Sequence, residues 1–381
     1  MYSIPAHLDM VSDQVRTDAY RDALRRAVKP GSVVADIGTG MGIFAILACQ
    51  LGARRVYAIE PDAAIEVARQ SASDNGVADR IEFIRELSTA VSLPERVDVV
   101  VSDVNGILPL AGLSVATTID ARERFLAAGG RLIPARARVW AALVESQEPH
   151  PLEVSDLNGS RLGVDMSAAA DFVVNNWRKA DLTSEQLLTE PQEWATLDYQ
   201  SIATPHVSGE LAWNVTDDGT ANGFCAWFDT DLIEGVSFSN APAEPKTIYG
   251  QALFPLERPV VLAPGDQVTM AIEARLVDDE YVWRWSTRIT ADGDGETKAA
   301  FEQSTVKSNP VPLSRLRRRE ADHHATLGED GDIDRLALSL MDGATPLSDI
   351  ARRVADRFPE RFATTDDALR RVAQLSEKYS R

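Results

Sequence analysis

The sequence predicts an α/β architecture: a doubly wound parallel sheet comes first, a mostly antiparallel β domain follows, and a small helical unit closes the chain. Three observations carry this. Short apolar runs alternate with helical patterns through the first third, strands rich in Trp, Phe, Val and Thr fill the middle, and three amphipathic patterns occupy the end.

The elements follow in order. SVVADIG, RRVYAIE, IEFIREL and VDVVVSDV read as strands, mostly short and continuously apolar, as expected where both sheet faces are covered. Helical patterns over IFAILACQLGA and AAIEVARQSASDNG separate them, and a further helical stretch precedes RLIPARARVWAAL. From Val139 to about Thr305, turn clusters such as TDDGTANG, APGD and ADGDG divide the strands. Between Ala168 and Trp194 apolar residues recur at helical spacing, which predicts a helical insert able to serve as an oligomerisation arm. After Ser314, RLRRRE and LGEDGD read as an exposed linker, and the tail from Asp332 gives three helices with Ser348 and Thr365 near their caps.

Composition bounds the function. The chain has 381 residues, 44% hydrophobic, with no apolar run long enough to span a membrane and no secretory leader pattern, which gives a cytoplasmic expectation. Two cysteines, Cys49 and Cys225, are too few for a disulfide framework and lack metal-ligand spacing, so no metal is expected. A formal charge of −19 disfavours nucleic acid and anionic lipid and suits a cationic or peptide partner.

Asp36-Ile-Gly-Thr-Gly-Met-Gly42 follows a strand and opens a helix, so Gly38, Gly40 and Gly42 permit a tight turn and close approach of a ligand to the backbone. Glu60 ends the next strand, about 20 residues on, where an acid accepts hydrogen bonds from ribose hydroxyls. Gly40-Met-Gly42-Ile-Phe-Ala45 also satisfies a dinucleotide fingerprint. Asp36 weighs against it, because an acid at the strand end repels a pyrophosphate and holds a cationic aminoacyl sulfonium.

The segment from His7 to Tyr20, HLDMVSDQVRTDAY, resembles the N-terminal helix of the protein arginine methyltransferases. The likeness continues through GARRVYAIE, LPERVDVVVSD and LIPARARVWAALVE, then GVDMS, CAWFDTDL and Thr247-Ile-Tyr-Gly-Gln251, covering roughly residues 7 to 300. It implies a Rossmann-like methyltransferase domain over residues 1–138 that uses S-adenosyl-L-methionine. A β-barrel substrate domain with a dimerisation arm over 139–313 and a homodimer follow from the same likeness. Arg16 would then pair with the cofactor carboxylate, Asp36 and Glu60 would hold its amino-acid and ribose ends, and Glu86 joins the cofactor set. His7 and Met10 would lie beside the sulfonium, although Met10 equally suits core packing and His7 a surface or capping place.

The likeness breaks at the acceptor. The family holds its guanidinium with two glutamates on the loop that begins SEWMG; here Ser102-Asp-Val-Asn-Gly106 keeps one acid, Asp103, and the second position falls near Gly112. The family's Thr-His-Trp loop is Thr247-Ile248-Tyr249. Asp103 with Asn105 could hold an amine and take up its proton, with Tyr249 beside the acceptor; equally, Asp103 could cap a loop and Tyr249 fill the barrel core.

The tail, with LMDGATPLSDIARRVADRF, resembles the small winged-helix, PqqD-like modules that bind leader segments of ribosomally made peptides; a generic three-helix appendage is the other reading. It gives a linker over 314–331 and a peptide-recognition module over 332–381. Together these resemblances imply a peptide-tailoring N-methyltransferase of the daptide type. The alternatives are an arginine methyltransferase-like enzyme on another protein or small molecule, and a non-catalytic cofactor-binding homologue.

Overall fold

The computed structural model describes residues 3–146, 163–293, 295–308, 318 and 322–380. The chain forms two compact units, residues 1–310 and 311–381.

The first unit opens with helices α1 (Ile4–Ser12) and α2 (Gln14–Ala27). Asp13 caps α2 by accepting a hydrogen bond from the Arg16 backbone at 3.1 Å, which satisfies one of the free N–H groups of a helix start. Strands β1 (Val33–Ile37), β2 (Arg55–Ile59), β3 (Ile81–Ile84), β4 (Val97–Ser102) and β5 (Leu126–Ile133) form a sheet in the order β3-β2-β1-β4-β5, and every pairing is parallel. Helices α3 (Ile43–Gln50), α4 (Ala64–Asp74) and α5 (Ser114–Arg124) connect them. All five residues of β1 are buried, as the continuous apolar run predicts. The strand order reverses between β1 and β4, so the loops leaving their C-terminal ends diverge and open a crevice. Those loops are Gly38–Gly42 and the segment from Asp103 onward.

An antiparallel half follows. Strands β6 (Arg136–Val144), β7 (Arg178–Ala180), β8 (Gln192–Asp198), β9 (Val207–Asn214), β10 (Gly219–Ile233), β11 (Val236–Ser239) and β12 (Gln251–Leu262) come first, then β13 (Gln267–Val277), β14 (Glu280–Thr290) and β15 (Thr297–Ser304). They form one sheet ordered β7-β12-β10-β6-β8, with β11 on β10, and a second ordered β15-β14-β13-β9. Period-two burial along β13 and β14 turns Met270, Ile272, Trp283 and Trp285 inward, onto Phe254 and Trp194 of the facing sheet. The same core runs on into β1 through Val33, Ala35 and Ile37, so the two halves pack as one body.

The helical insert expected between Ala168 and Trp194 is not a continuous helix but a run of short pieces joined by turns. Only Ala170–Val174 is α-helical there, preceded by a 3-10 turn, and the rest is loop around the short β7, a second 3-10 turn at Ser184–Gln186 and the start of β8. Trp177 packs against Phe254 with ring centroids 5.9 Å apart, and Trp194 is buried. The apolar pattern is therefore split: Val174, Ala180, Leu182 and Trp194 are buried side chains spaced by turns, while Phe172 and Val173 stay exposed.

In the second unit, helices Glu329–Ser339, Leu347–Arg357 and Thr365–Tyr379 close around Ile333, Ala337, Ile350, Val354, Ala368 and Val372. The Asp342 carboxylate accepts from the Ala344 and Thr345 backbone N–H groups, and Gly343 takes a left-handed φ of 80°, so the Asp-Gly pair makes the first inter-helix turn. The acidic stretch assigned to the linker instead begins the first helix, where Glu329, Asp330 and Asp332 complement the positive end of the helix dipole. Among the described residues of this unit there is no strand, and hence no wing. No helix among the described residues is long and apolar enough to cross a membrane.

Candidate active site

A cleft of about 800 Å³ lies in the crevice between the loops after β1 and β4, roofed by α1 and edged by the barrel. His7, Met10, Arg16, Gly38, Gly40, Glu60, Glu86, Asp103, Asn105 and Tyr249 all reach its wall, so the structure brings together most of the residues singled out in the sequence. Asp36 and Gly42 are not among the residues that line it.

The inner end is shaped by the glycines. Gly38, Gly40 and Gly42 adopt φ of 71°, 52° and 87°, which only glycine takes without strain. A Cβ on Gly38 would stand 2.7 Å from Val104 of the opposing loop, and one on Gly40 would stand 3.1 Å from the His7 ring. The backbone is thus bare where a ligand would lie. Glu60 spans the loop, accepting from the Gly40 N–H at 3.1 Å and the Asp62 N–H at 2.9 Å. Glu86 accepts from the Leu87 N–H at 2.9 Å. Asp36 is buried; its Oδ2 accepts from the Thr39 hydroxyl at 2.5 Å, while Oδ1 has no hydrogen-bond partner. Burial pushes its pKa up to about 7, against the pull of the Thr39 hydrogen bond. An orphaned, reluctant carboxylate beside a bare glycine loop fits the ammonium end of an aminoacyl sulfonium, and Glu60 fits its ribose.

The acceptor end is built around one buried ion pair. Arg16 projects from α2; its Nε donates to Asp103 and its Nη1 donates to the Met10 carbonyl at 2.7 Å. Its guanidinium also lies 5.6 Å from the Phe44 ring centroid. The two side chains are only 7% and 5% exposed. Burial opposes the Arg16 charge, but Asp103, with Tyr249 and Tyr20 beside it, offsets it and holds the guanidinium protonated. The Tyr249 hydroxyl donates to the other Asp103 oxygen at 2.6 Å, and its ring packs edge-on against Phe228 with centroids 5.2 Å apart. Burial first, then the Asp103 charge, raises the Tyr249 pKa, so the phenol stays a donor.

Two expectations change in consequence. Arg16 was expected to face the cofactor carboxylate, yet its Nε and Nη1 are taken by Asp103 and Met10, so only its remaining nitrogen is left for a ligand. Asp103, read as an acid that could take up a proton directly or through water or else cap a loop, already has a donor on each oxygen. A carboxylate has about four lone-pair sites, so it can still accept from an acceptor cation, but as a charge already oriented rather than as a free base. Tyr249 belongs to both of its expected settings: its ring is core and its hydroxyl is at the site.

Several residues at the site are absent from the sequence reading. Asp13 caps α2 with one oxygen and accepts from the Ile248 N–H at 2.8 Å with the other, tying the N-terminal helices to the Thr247–Tyr249 segment. An Asp before a helical run was a legible cap signal; its second contact was not. Lys179 reaches the wall from β7 and donates to the Ile248 carbonyl, and Glu280 reaches it from the start of β14. Both come from elements far away in sequence.

Known proteins give the family. The family described as ribosomal protein L11 methyltransferase matches residues 17–133, and that described as the arginine methyltransferase oligomerization subdomain matches residues 135–286. A protein arginine N-methyltransferase 6 from Danio rerio is 30% identical over 272 residues, 67% of this chain and 77% of that protein. An arginine N(omega)-methyltransferase from Streptomyces achromogenes subsp. streptozoticus is 30% identical over 281 residues, 70% of this chain and 75% of its own. Among solved structures, Arabidopsis thaliana protein arginine methyltransferase 10 superposes with a TM-score of 0.68 at 26% identity, covering 79% of this chain and 97% of that one. With its parallel sheet, its barrel and its sulfonium-suited cleft, this chain belongs to the protein arginine methyltransferase family of S-adenosylmethionine-dependent methyltransferases.

Proposed function

We propose that the chain N-methylates a nitrogen that is cationic in solution, as an arginine methyltransferase-type enzyme acting on a protein, a peptide or a small molecule. The observation that carries this is the charge of the cleft. Arg16 and Asp103 neutralise each other, which leaves Asp9, Glu60, Glu86 and Glu280 against Lys179 on its wall. Such a wall favours a cation over an anion.

When bound, S-adenosylmethionine supplies an electrophilic methyl group. Asp36 and Glu60 would hold its ammonium and ribose, with Glu86 on the same wall and the third nitrogen of Arg16 toward its carboxylate. The chain's own work is then to orient the nitrogen in line and lower the cost of its deprotonation. Tyr249 and Arg16 fix Asp103 so that its charge faces the acceptor, and Asn105 stands ready to accept or donate beside it.

The guanidinium of an arginine is the first reading of the nitrogen, supported by the names of the relatives. A second reading, the aliphatic amine of a ribosomally made peptide of the daptide type, is favoured by Gly112, which leaves the loop after β4 with one acid. On that reading the C-terminal helices are a PqqD-like module that holds the leader. Mass spectrometry after incubation with labelled S-adenosylmethionine and free L-arginine, an arginine-containing peptide or an amine-ended peptide separates the two. Methyl groups on oxygen or carbon, or none on any basic nitrogen, would reject both. Removal of residues 311–381 should raise KM for a leader-bearing peptide far more than for a minimal acceptor, if that unit recruits peptide.

A further inference from the structure

We propose that Glu280, from the barrel, supplies the second carboxylate of the acceptor pocket and works with Asp103 to select a cationic acceptor; this rests on the basic-nitrogen reading above. The loop after β4 provides Asp103 at its start and then runs to Gly112, which has no side chain and a φ of 47°. A Cβ built on Gly112 would stand 3.8 Å from the Asp279 carbonyl, so the tip of the β13–β14 hairpin lies where a loop side chain would project. Glu280 is the next residue, and it lines the same cleft as Asp103.

Its placement follows from the hairpin. The register pairs Val277 with Glu280 across the two-residue turn Asp278-Asp279, with Asp278 in the left-handed region at φ 57°. Tyr281, Trp283 and Trp285 point inward on alternate positions, and the Tyr281 hydroxyl donates to the Pro205 carbonyl at 2.8 Å. Glu280 is held on the opposite face of the strand by that alternation. The other acids of the wall are largely engaged: Glu60 by two backbone N–H groups, Glu86 by one, Asp103 by Arg16 and Tyr249. Glu280 has no hydrogen-bond or ion-pair partner among the described residues, and Asp9 on α1 is the other such acid of the wall. Gly112 distinguishes them, because only Glu280 adjoins the place where the loop lacks its acid.

Arg16 already balances the Asp103 charge, so Glu280 adds the carboxylate that an acceptor cation would neutralise, and the pocket discriminates by charge as well as by fit. Because Glu280 is exposed, its part in that attraction is screened by salt.

The test uses the full chain with S-adenosylhomocysteine bound, titrated calorimetrically with an arginine-containing hexapeptide and an amine-ended hexapeptide at low and high salt. Glu280→Gln should weaken whichever peptide the unaltered chain binds more tightly by about tenfold at low salt, and by much less at high salt. Affinity for S-adenosylhomocysteine should not move. Asp278→Asn removes the same charge from the same turn without facing the cleft, and should change peptide affinity less than about twofold. An equal loss in Asp278→Asn, a loss in Asp9→Asn with none in Glu280→Gln, or no measurable binding of either peptide by the unaltered chain would overturn the proposal. Methyl transfer, scored separately, reports on the basic-nitrogen reading itself.

Discussion

Replacing Asp103 with Asn tests whether the acceptor site and the fold share one ion pair. Asp103 and Arg16 are both almost fully buried, and Asp103 also receives the Tyr249 hydroxyl. Breaking a buried pair by removing one charge costs about 3–5 kcal/mol, because the other charge is left uncompensated. The Asn carbonyl keeps one acceptor for Arg16 at nearly the same volume, so the lower end, about 3 kcal/mol, is expected. Arg16 also holds the Met10 carbonyl at the cleft wall, so S-adenosylmethionine affinity should fall along with turnover. Urea unfolding gives the stability and calorimetry the affinity. The cycle with Arg16→Met isolates the coupling, which should exceed about 1 kcal/mol for groups in direct contact. A stability change below about 0.5 kcal/mol, typical of surface substitutions, would refute the idea that this pair is buried and oriented.

Glu60→Ala should weaken S-adenosylmethionine binding by about 1.5–3 kcal/mol, the range for hydrogen bonds to a charged group, and unchanged calorimetric affinity would remove Glu60 from the cofactor set. Asp36 makes a pH prediction: its pKa in the fold, about 7, lies above the ordinary 3.8, so the fold prefers its protonated form and stability is lost as pH rises from about 4 through 7. Asp36→Asn should therefore stabilise the ligand-free protein at pH 8.5, by up to about 4 kcal/mol, and leave it little changed at pH 4, while weakening the cofactor at pH 8.5. Equal urea midpoints for the two proteins at both pH values would contradict this. Val164, Met166, Phe172 and Val173 are exposed apolar residues on one short stretch, so light scattering should give twice the monomer mass, and a monomer at micromolar concentration would count against self-association there.

The parallel half was legible in the sequence because its signals are local. A buried strand, a glycine turn and an acid at the next strand end follow one another within Val33–Glu60, and each keeps its predicted place. The barrel was legible as strands but not as a set of boundaries. Trp177 and Trp194 mimic a helical period because the chain turns between them, and only the packing on Phe254 and Trp283 shows which face is inside.

The site itself was legible one residue at a time. Arg16, Asp103 and Tyr249 could each be named from a motif, but their contacts join residues 87 and 146 positions apart, and no periodicity encodes such a pair. Charge at a site depends on those contacts. Asp103, which read along the chain suits either a proton acceptor or a loop cap, becomes the centre of a hydrogen-bonded triad once α2 and the Thr247–Tyr249 segment are laid against it, and Asp13 is what fastens the two together. An acid so occupied is poorly suited to leave its partners and abstract a proton, but well suited to hold a positive charge in a fixed place. The loss of the loop's second acid therefore need not mean the loss of a two-acid pocket. The fold has only to bring another carboxylate to the same wall, and the start of β14 does so with Glu280.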